Sequence, residues 1–215
     1  MEGFEAKYRD ASFARRYRDK RRRSWVGRIS DRVEQRLAGR ALRVAGRVDE
    51  ILDCPCGAGR FWPTLARYCE AVHAADQSAD MLAAGREGSS VVLQSAIVAR
   101  AESLPHESDA VDLVFSSRLL HHVADADDRV RILQSFARVS RRWVVFSTWE
   151  TGNRTHSRHR RRDARRPRPS NRVFLPMETI RAEVVLAGMR VVRVLHKLRG
   201  ISPLVMVVCE REPAA

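Results

Sequence analysis

Lysine is almost missing from this chain. Of its 40 Lys and Arg residues only Lys7, Lys20 and Lys197 are lysines, so a formal charge of +14 over 215 residues is carried by arginine. Cysteine is sparse as well. Cys54, Cys56, Cys69 and Cys209 contain no C-x-x-C pair, which argues against a zinc site and a disulfide framework and fits a reducing, cytoplasmic setting. Long apolar runs are absent: the best, Leu204 to Cys209, has six residues, far short of the roughly 20 that span a bilayer. The first residues, Met1-Glu2-Gly3-Phe4-Glu5, show no apolar core of signal-peptide type. A chain of this length can bury one sizeable core, which points to one α/β domain with an appendage.

What is present is arginine in clusters. Residues 1–23 hold nine Lys/Arg against four acids, net +5, and residues 154–172 hold nine Arg against Asp163, net +8. Codon composition is one source of an Arg-over-Lys bias, but it does not cluster the charge. The planar guanidinium fork suits phosphate oxygens bidentately, so an anionic partner is expected at Arg160, Arg161, Arg162 and their neighbours. Three partner classes are open: nucleic acid, a phosphorylated small molecule or glycolipid, and an anionic membrane surface. Phe4, Tyr8, Phe13 and Tyr17, interleaved with the basic residues of the first segment, could stack on bases if the partner is RNA.

Residues 4–23 are compatible with a helix, and residues 28–46 carry an apolar stripe of helical period through Ile29, Val33, Leu37, Ala41 and Val44. Residues 1–47 therefore form an N-terminal helical lid or appendage to a domain over 48–211. Strands are predicted near 49–54, 71–75, 95–99, 111–116, 143–149, 189–197 and 203–210, with helices between the first five. Pro176 opens and Gly188 closes a helix over Met177 to Leu186, and the last two strands form a hairpin. Residues 151–172 lack apolar periodicity and are expected to be a long Arg-rich loop at the ligand-binding edge of the sheet.

The most informative stretch is Ile51-Leu52-Asp53-Cys54-Pro55-Cys56-Gly57-Ala58-Gly59, with Asp76 nineteen residues after Gly57. A buried strand running into Gly-x-Gly brings backbone close to a ligand, because glycine accepts φ > 0 and has no Cβ. An acid at the end of the next strand is placed to accept hydrogen bonds from a ribose diol. This is a nucleoside-binding βαβ unit. Trp62 stands where a dinucleotide site prefers a third glycine, and Arg60-Phe61 stands where a P-loop needs Lys-Ser or Lys-Thr. Asp53, just before the turn, disfavours phosphate and favours a cationic group.

These residues resemble the class I S-adenosylmethionine-dependent methyltransferases, in particular the type 11 methyltransferase domains. Asp53 to Gly59 is similar to the family's first motif, acid-x-Gly-x-Gly-x-Gly, with Pro55 in place of its first glycine. Ala75-Asp76-Gln77-Ser78-Ala79-Asp80-Met81-Leu82 resembles the ribose-acid segment. Arg100 to Pro105 resembles the adenine segment, with Arg100 where the family often has Asp. Asp109 to Ser117 resembles the fourth strand, and Leu119-Leu120-His121-His122-Val123 the helix after it. The resemblance implies a Rossmann-like fold: a mostly parallel seven-stranded sheet with a C-terminal antiparallel hairpin and helices on both faces.

It also implies S-adenosylmethionine as cofactor and a set of roles. Asp53, Cys56, Gly57, Ala58 and Gly59 wrap the methionine end, Asp76 takes the ribose hydroxyls, and Gln77 and Leu104 flank the adenine. Ala101 and Glu102 read the adenine edge, and Ser116 offers a carbonyl near the sulfonium. His121 and His122 are open between a general base and a packing role. Tyr8 and Tyr17 are candidates to close over the ligand. The activity implied is methyl transfer to an acidic or phosphate-bearing acceptor. A different class of function, a non-catalytic module that keeps the fold and binds nucleic acid or an anionic surface, is the alternative.

Overall fold

The computed structural model describes residues 25–165 and 171–212. Helix α1 (Trp25–Ala45) leads into β1 (Glu50–Asp53), α2 (Trp62–Leu65), β2 (Ala71–Asp76), α3 (Ala79–Gly88) and β3 (Ser95–Val98). A 3-10 turn (Ala101–Ser103) precedes β4 (Val111–Ser116), and a second (Leu120–His122) precedes α4 (Ala126–Val139) and β5 (Ser140–Trp149). Helices α5 (Arg154–Asp163) and α6 (Met177–Leu186) come before β6 (Met189–His196) and β7 (Leu204–Arg211).

The seven strands form one sheet in the order β3-β2-β1-β4-β5-β7-β6. The pairs within β1 to β5 are parallel, while β7 runs antiparallel to both β5 and β6. Strand order reverses at β1, which separates β2 from β4, and in open sheets of this kind the ligand crevice lies at the carboxyl ends of the strands at such a point.

Period-two alternation divides the sheet's side chains between two cores. Ile51, Phe115, Val145 and Met206 face Leu37 and Leu42 of α1, Leu65 of α2 and Leu82 of α3. Leu52, Val114, Val144 and Val207 face Ile132 and Phe136 of α4 and Ile180 and Val184 of α6. Both faces are thus covered by helices, in the Rossmann-like arrangement. Gly188, at φ +74, closes the turn after α6 as its position predicts.

Helix α1 is an integral part of one face, with Ala38, Ala41 and Leu42 fully buried. It is also bolted to the turn after β1. Arg60 pairs with Asp31 at 2.5 Å and with Glu34 at 2.7 Å, and Gln35 Nε2 donates to the Arg60 carbonyl at 2.9 Å. Lys197, from the β6–β7 link, reaches Glu34 at 2.6 Å. Burial raises the Glu34 carboxyl, but Arg60 and Lys197 together outweigh it and hold the group below its usual range. Tyr8, Tyr17 and the expected helix over 4–23 lie outside the described residues.

Two links differ from expectation. No α-helix joins β3 to β4: Pro105 disfavours helical backbone at the residue before it, Leu104 is extended at φ −65 and ψ 129, and only the 3-10 turn forms. Between β1 and β2 the helix is a single turn, α2. Residues 154–163, expected as loop, are helix α5. Asn153 caps it by accepting from His156 N–H at 2.8 Å, and Thr155 Oγ1 donates to the Ile201 carbonyl at 2.7 Å, which docks the helix start on the β6–β7 link. Its basic last turn, Arg160 to Arg162, suits the negative end of the helix dipole.

Candidate cofactor and acceptor site

Strand β1 delivers Asp53 to the ligand edge, and the turn that follows stays tied to both neighbouring strands. Cys54 N–H donates to the Phe115 carbonyl of β4 and Cys56 N–H to the Ala75 carbonyl of β2, each at 2.9 Å. The chain then reverses through Gly57 at φ +54 and Gly59 at φ +69. The two glycines serve different ends. A Cβ on Gly57 would meet nothing within 4 Å, so its backbone borders open space. A Cβ on Gly59 would lie 2.4 Å from the Trp62 ring, and one on Gly85 of α3 would lie 2.6 Å from the same ring. Trp62 is fully buried. The indole takes up the space where a glycine-closed turn would bring helix and strand together, and small residues surround it for that reason.

Asp76 ends β2 and holds the turn in place. Its Oδ2 accepts from Gly57 N–H at 2.8 Å and its Oδ1 from Ser78 N–H at 2.9 Å. Ser78 in turn caps α3 by accepting from Met81 N–H at 3.2 Å. Burial raises the Asp76 carboxyl above its ordinary value, and the Ser78 and Gly57 N–H groups oppose the rise.

Asp53 is buried, and neither of its carboxylate oxygens has a hydrogen-bond partner. Burial first, then the charge of Asp76, push its carboxyl well above the usual range. The Trp62 indole N–H lies near enough to pull the other way but makes no hydrogen bond of good geometry. A carboxyl raised by folding binds its proton more tightly in the folded than in the unfolded chain. The ligand-free protein therefore gains stability from this group as pH falls to about 4, the unfolded value, and loses it as pH rises through the folded value. Asp53→Asn is expected to exceed wild type by about 1–3 kcal/mol near pH 8 and to match it near pH 4. Denaturant unfolding at the two pH values checks this.

The adenine-type segment is positioned by α4. Arg138 donates to the carbonyls of Leu104 at 2.6 Å and His106 at 2.7 Å, and Leu104 N–H donates to Ser135 Oγ at 3.2 Å. Ala101 and Leu104 are buried, whereas Gln77 is exposed. Arg100 pairs with Glu102 at 2.5 Å, so the arginine that replaces an expected acid is held by the next acid along.

Beyond β4 and β5 lies a second group of side chains. Ser116 ends β4 with its hydroxyl buried and unpartnered. Arg118 follows at φ +69, with its N–H donating to Ser147 Oγ at 2.8 Å. His121 is fully buried and stacks on Trp149 at 4.6 Å between centroids and 4° between planes. Phe174 packs on Trp149 at 5.0 Å and on His156 and His159 of α5. Arg172 lies 5.3 Å over the Trp149 ring and hydrogen-bonds His122. Backbone hydrogen bonds from Val173 N–H to the His121 carbonyl and from Leu175 N–H to the Trp149 carbonyl, both 2.9 Å, hold residues 172–175 against this edge.

Both histidines are poor proton acceptors here. Burial, His122, Arg172 and Arg118 lower His121 to about 2, and burial, Arg172 and Arg118 lower His122 to about 3. Arg160, Arg161 and Arg162, by contrast, point into solvent, while His156 and His159 supply the inward face of α5. Trp149, Phe174, Arg118 and Arg172 were not singled out from the sequence. They come from distant segments with no common motif, and only a positive φ marks Arg118.

Residues 52–146 match the family model described as a methyltransferase domain. Over this stretch the chain is similar to class I S-adenosylmethionine-dependent methyltransferases. No curated protein matches it in sequence. Among solved structures it is similar to magnesium protoporphyrin IX methyltransferase from Synechocystis with bound SAH, at TM-score 0.71 and 14% identity, covering 88% of each chain. A SAM-dependent methyltransferase from Methanosarcina mazei gives TM-score 0.62 at 18% identity, covering 77% of this chain and 93% of that one. A Haloferax volcanii methyltransferase in complex with the Trm112 activator gives 0.66 at 16%, covering 83% and 90%. At these identities the structural likeness shows the shared fold.

The residues at this edge fit S-adenosylmethionine. The orphaned Asp53 carboxylate suits an ammonium or sulfonium, the open backbone at Gly57 admits close approach, and Asp76, with two acceptor sites on each oxygen, retains capacity for a diol. Cys54 and Cys56 remain neutral thiols, raised by burial and then by the neighbouring carboxylates. Among the described residues no cluster of three His, Cys, Asp or Glu is placed to hold a metal ion, and no helix is long and apolar enough to cross a membrane.

Proposed function

We propose that the protein transfers a methyl group from S-adenosylmethionine to an acidic or phosphate-bearing acceptor that enters over the ends of β4 and β5. The observation that supports the acceptor class is the charge at this edge: α5, packed on Trp149 and Phe174 through His156 and His159, leaves Arg154, Arg158, Arg160, Arg161 and Arg162 exposed.

In this reading Asp76 holds the ribose hydroxyls while its Gly57 and Ser78 bonds fix its orientation. Cys56, Gly57, Ala58 and Gly59 present backbone to the methionine end, and Asp53 answers its ammonium. Gln77 and Leu104 flank the adenine, whose edge is read by backbone at Ala101 and Glu102, since the Glu102 carboxylate is taken by Arg100. Ser116 turns its carbonyl toward the sulfonium. When bound, the cofactor supplies a methyl already activated toward displacement. The protein's task is then alignment of donor and acceptor in a dry site, for which effective molarities are large. An acceptor whose anionic oxygen is itself the nucleophile has no proton to lose, which suits neighbours such as His121 and His122 that stay neutral at pH 7. These rings wall the site.

The exposed arginines extend the attraction outward. Replacing Arg160, Arg161 and Arg162 together by Ala is expected to leave stability within about 0.5 kcal/mol of wild type, since surface changes rarely do more. Cofactor affinity is expected to be unchanged, and elution from immobilised heparin to shift to lower salt. Elution at the same salt as wild type would show that α5 does not meet polyanions.

A further inference from the structure

Large apolar side chains left in water concentrate on one rim of the molecule. Among the described residues ten are exposed, and five of these, Trp25, Val26, Ile29, Leu198 and Ile201, belong to the start of α1 and to the β6–β7 link. Ile29 follows Trp25 by four residues and Val26 by three, so the three share one flank of the first turns of α1, at 73%, 76% and 53% exposed. Leu198 and Ile201 belong to a tight turn. Ile201 N–H donates to the Leu198 carbonyl at 3.1 Å, Gly200 at φ +74 carries the reversal, and Arg199 is exposed between them.

Hydrogen bonds join these pieces into one surface. Lys197 Nζ donates to Ser30 Oγ at 2.8 Å and to Glu34 Oε1 at 2.6 Å, which sets the link against the start of α1. Arg154 N–H donates to the Gly200 carbonyl at 3.0 Å and Thr155 N–H to the Ile201 carbonyl at 3.2 Å, so α5 begins at the same turn. Because β7 runs antiparallel to both β5 and β6, the end of β6 lies at the same edge of the sheet as the end of β5. The rim therefore flanks the cofactor edge, to which Arg60 also ties α1 through Asp31 and Glu34.

The charge around these apolar residues is basic. Arg28 lies 5.5 Å over the Trp25 ring, Arg199 sits in the turn, and the exposed arginines of α5 follow. A nucleic acid would answer the guanidiniums, but its phosphate backbone offers nothing to Val26, Ile29, Leu198 and Ile201, whose exposure costs free energy in proportion to apolar area. A bilayer with anionic headgroups answers both: its phosphates meet arginine, its acyl boundary takes the aliphatic side chains, and tryptophan is favoured at that depth.

We propose that this rim docks on the surface of an anionic phospholipid bilayer, with Val26, Ile29, Leu198 and Ile201 inserted among the headgroups and the arginines of α5 on their phosphates. The docking stands on the geometry of the rim and does not depend on methyl transfer.

Co-sedimentation of the full chain with vesicles at physiological salt tests it, using phosphatidylcholine alone and an equal mixture of phosphatidylcholine and phosphatidylglycerol. Wild type is expected to bind the mixed vesicles at least about tenfold more tightly than the neutral ones. Leu198→Ser with Ile201→Ser keeps every charge. That pair should weaken vesicle binding by about tenfold or more while elution from immobilised heparin stays at the wild-type salt. Val26→Ser with Ile29→Ser should do the same, whereas replacing Arg160, Arg161 and Arg162 by Ala should weaken both interactions. Thermal unfolding midpoints equal to wild type establish that the serine variants are folded. Vesicle binding by a wild type that takes no S-adenosylhomocysteine in calorimetry would support the docking surface and remove the methyl-transfer reading. Failure of wild type to sediment with mixed vesicles, or equal binding to both vesicle types, would overturn the proposal. So would serine variants that bind vesicles as wild type does, which would leave the arginines as a site for polyanions such as RNA.

Discussion

Asp76→Ala is expected to lower S-adenosylmethionine affinity by about 100-fold or more. The carboxylate accepts from Gly57 and Ser78 N–H at 2.8 and 2.9 Å and, in the proposed role, from the ribose diol as well. Hydrogen bonds to a charged group contribute about 1.5–3 kcal/mol each, so losing two to the ligand spans roughly two to four decades. The variant also releases the Gly57 backbone from its anchor, which adds an ordering cost to binding. Stability should change less than affinity. The two N–H groups lose their acceptor, but a carboxyl whose own pKa is raised by burial no longer has to be desolvated. Asp76→Asn separates the contributions: one amide oxygen can still accept, while the NH2 now faces a backbone donor. Its affinity is expected between those of wild type and Asp76→Ala. Calorimetry on the three proteins gives the order, and equal affinity in all three would remove Asp76 from the site.

Gly59→Ala is expected to be the most destabilising single methyl addition at the turn, by about 2–5 kcal/mol. Two penalties coincide. Left-handed backbone costs a non-glycine residue about 1–2 kcal/mol, and the new Cβ would lie 2.4 Å from a fully buried Trp62 ring, where overpacking costs typically about 1–3 kcal/mol. Gly57→Ala shares the positive φ but meets nothing within 4 Å, so its stability loss should stop at the backbone term. The same change should still impair cofactor binding, because its Cβ would occupy the open space beside Asp76. The denaturant midpoint is therefore expected to fall further in Gly59→Ala, and a cofactor titration to show the binding loss of Gly57→Ala at a smaller cost in stability. If Gly59→Ala unfolds like wild type, Trp62 does not pack as described.

Much of this was legible in the chain. The strands fall close to where period and turn residues placed them, except that β5 starts at Ser140, three residues before its expected 143, because Ser140-Arg141-Arg142 carries no apolar signal. Asp53, Gly57, Gly59 and Asp76 were legible because their spacing is a property of one contiguous βαβ unit. Trp62 was visible only as a missing glycine; that its ring is packed between Gly59 and Gly85 depends on α3, more than twenty residues later. The link from β3 to β4 was misread because helix is the usual crossover, and Pro105 is a stronger local constraint than topology. Helix α5 was hidden for a different reason. Its inward face is built from His156 and His159, so the segment has no aliphatic period, and only Asn153 signalled a start. Arg60, read first as the absence of a P-loop lysine, is the residue that ties α1 to the glycine turn. The edge beyond β4 and β5 was the least legible part, since Trp149, Arg172 and Phe174 come together only in the fold.

The central claim is that Asp76 and the glycine turn bind S-adenosylmethionine for transfer to an acidic acceptor at the adjoining edge. The most direct measurement is transfer of labelled methyl from S-adenosylmethionine into cell extract by wild type and by Asp76→Ala, with products separated into acidic small molecules, lipid, RNA and protein. Label is expected in the acidic small-molecule or phosphate-bearing fraction with wild type, and to fall to background with Asp76→Ala. Label at background with wild type, or equal incorporation by both proteins, would contradict it.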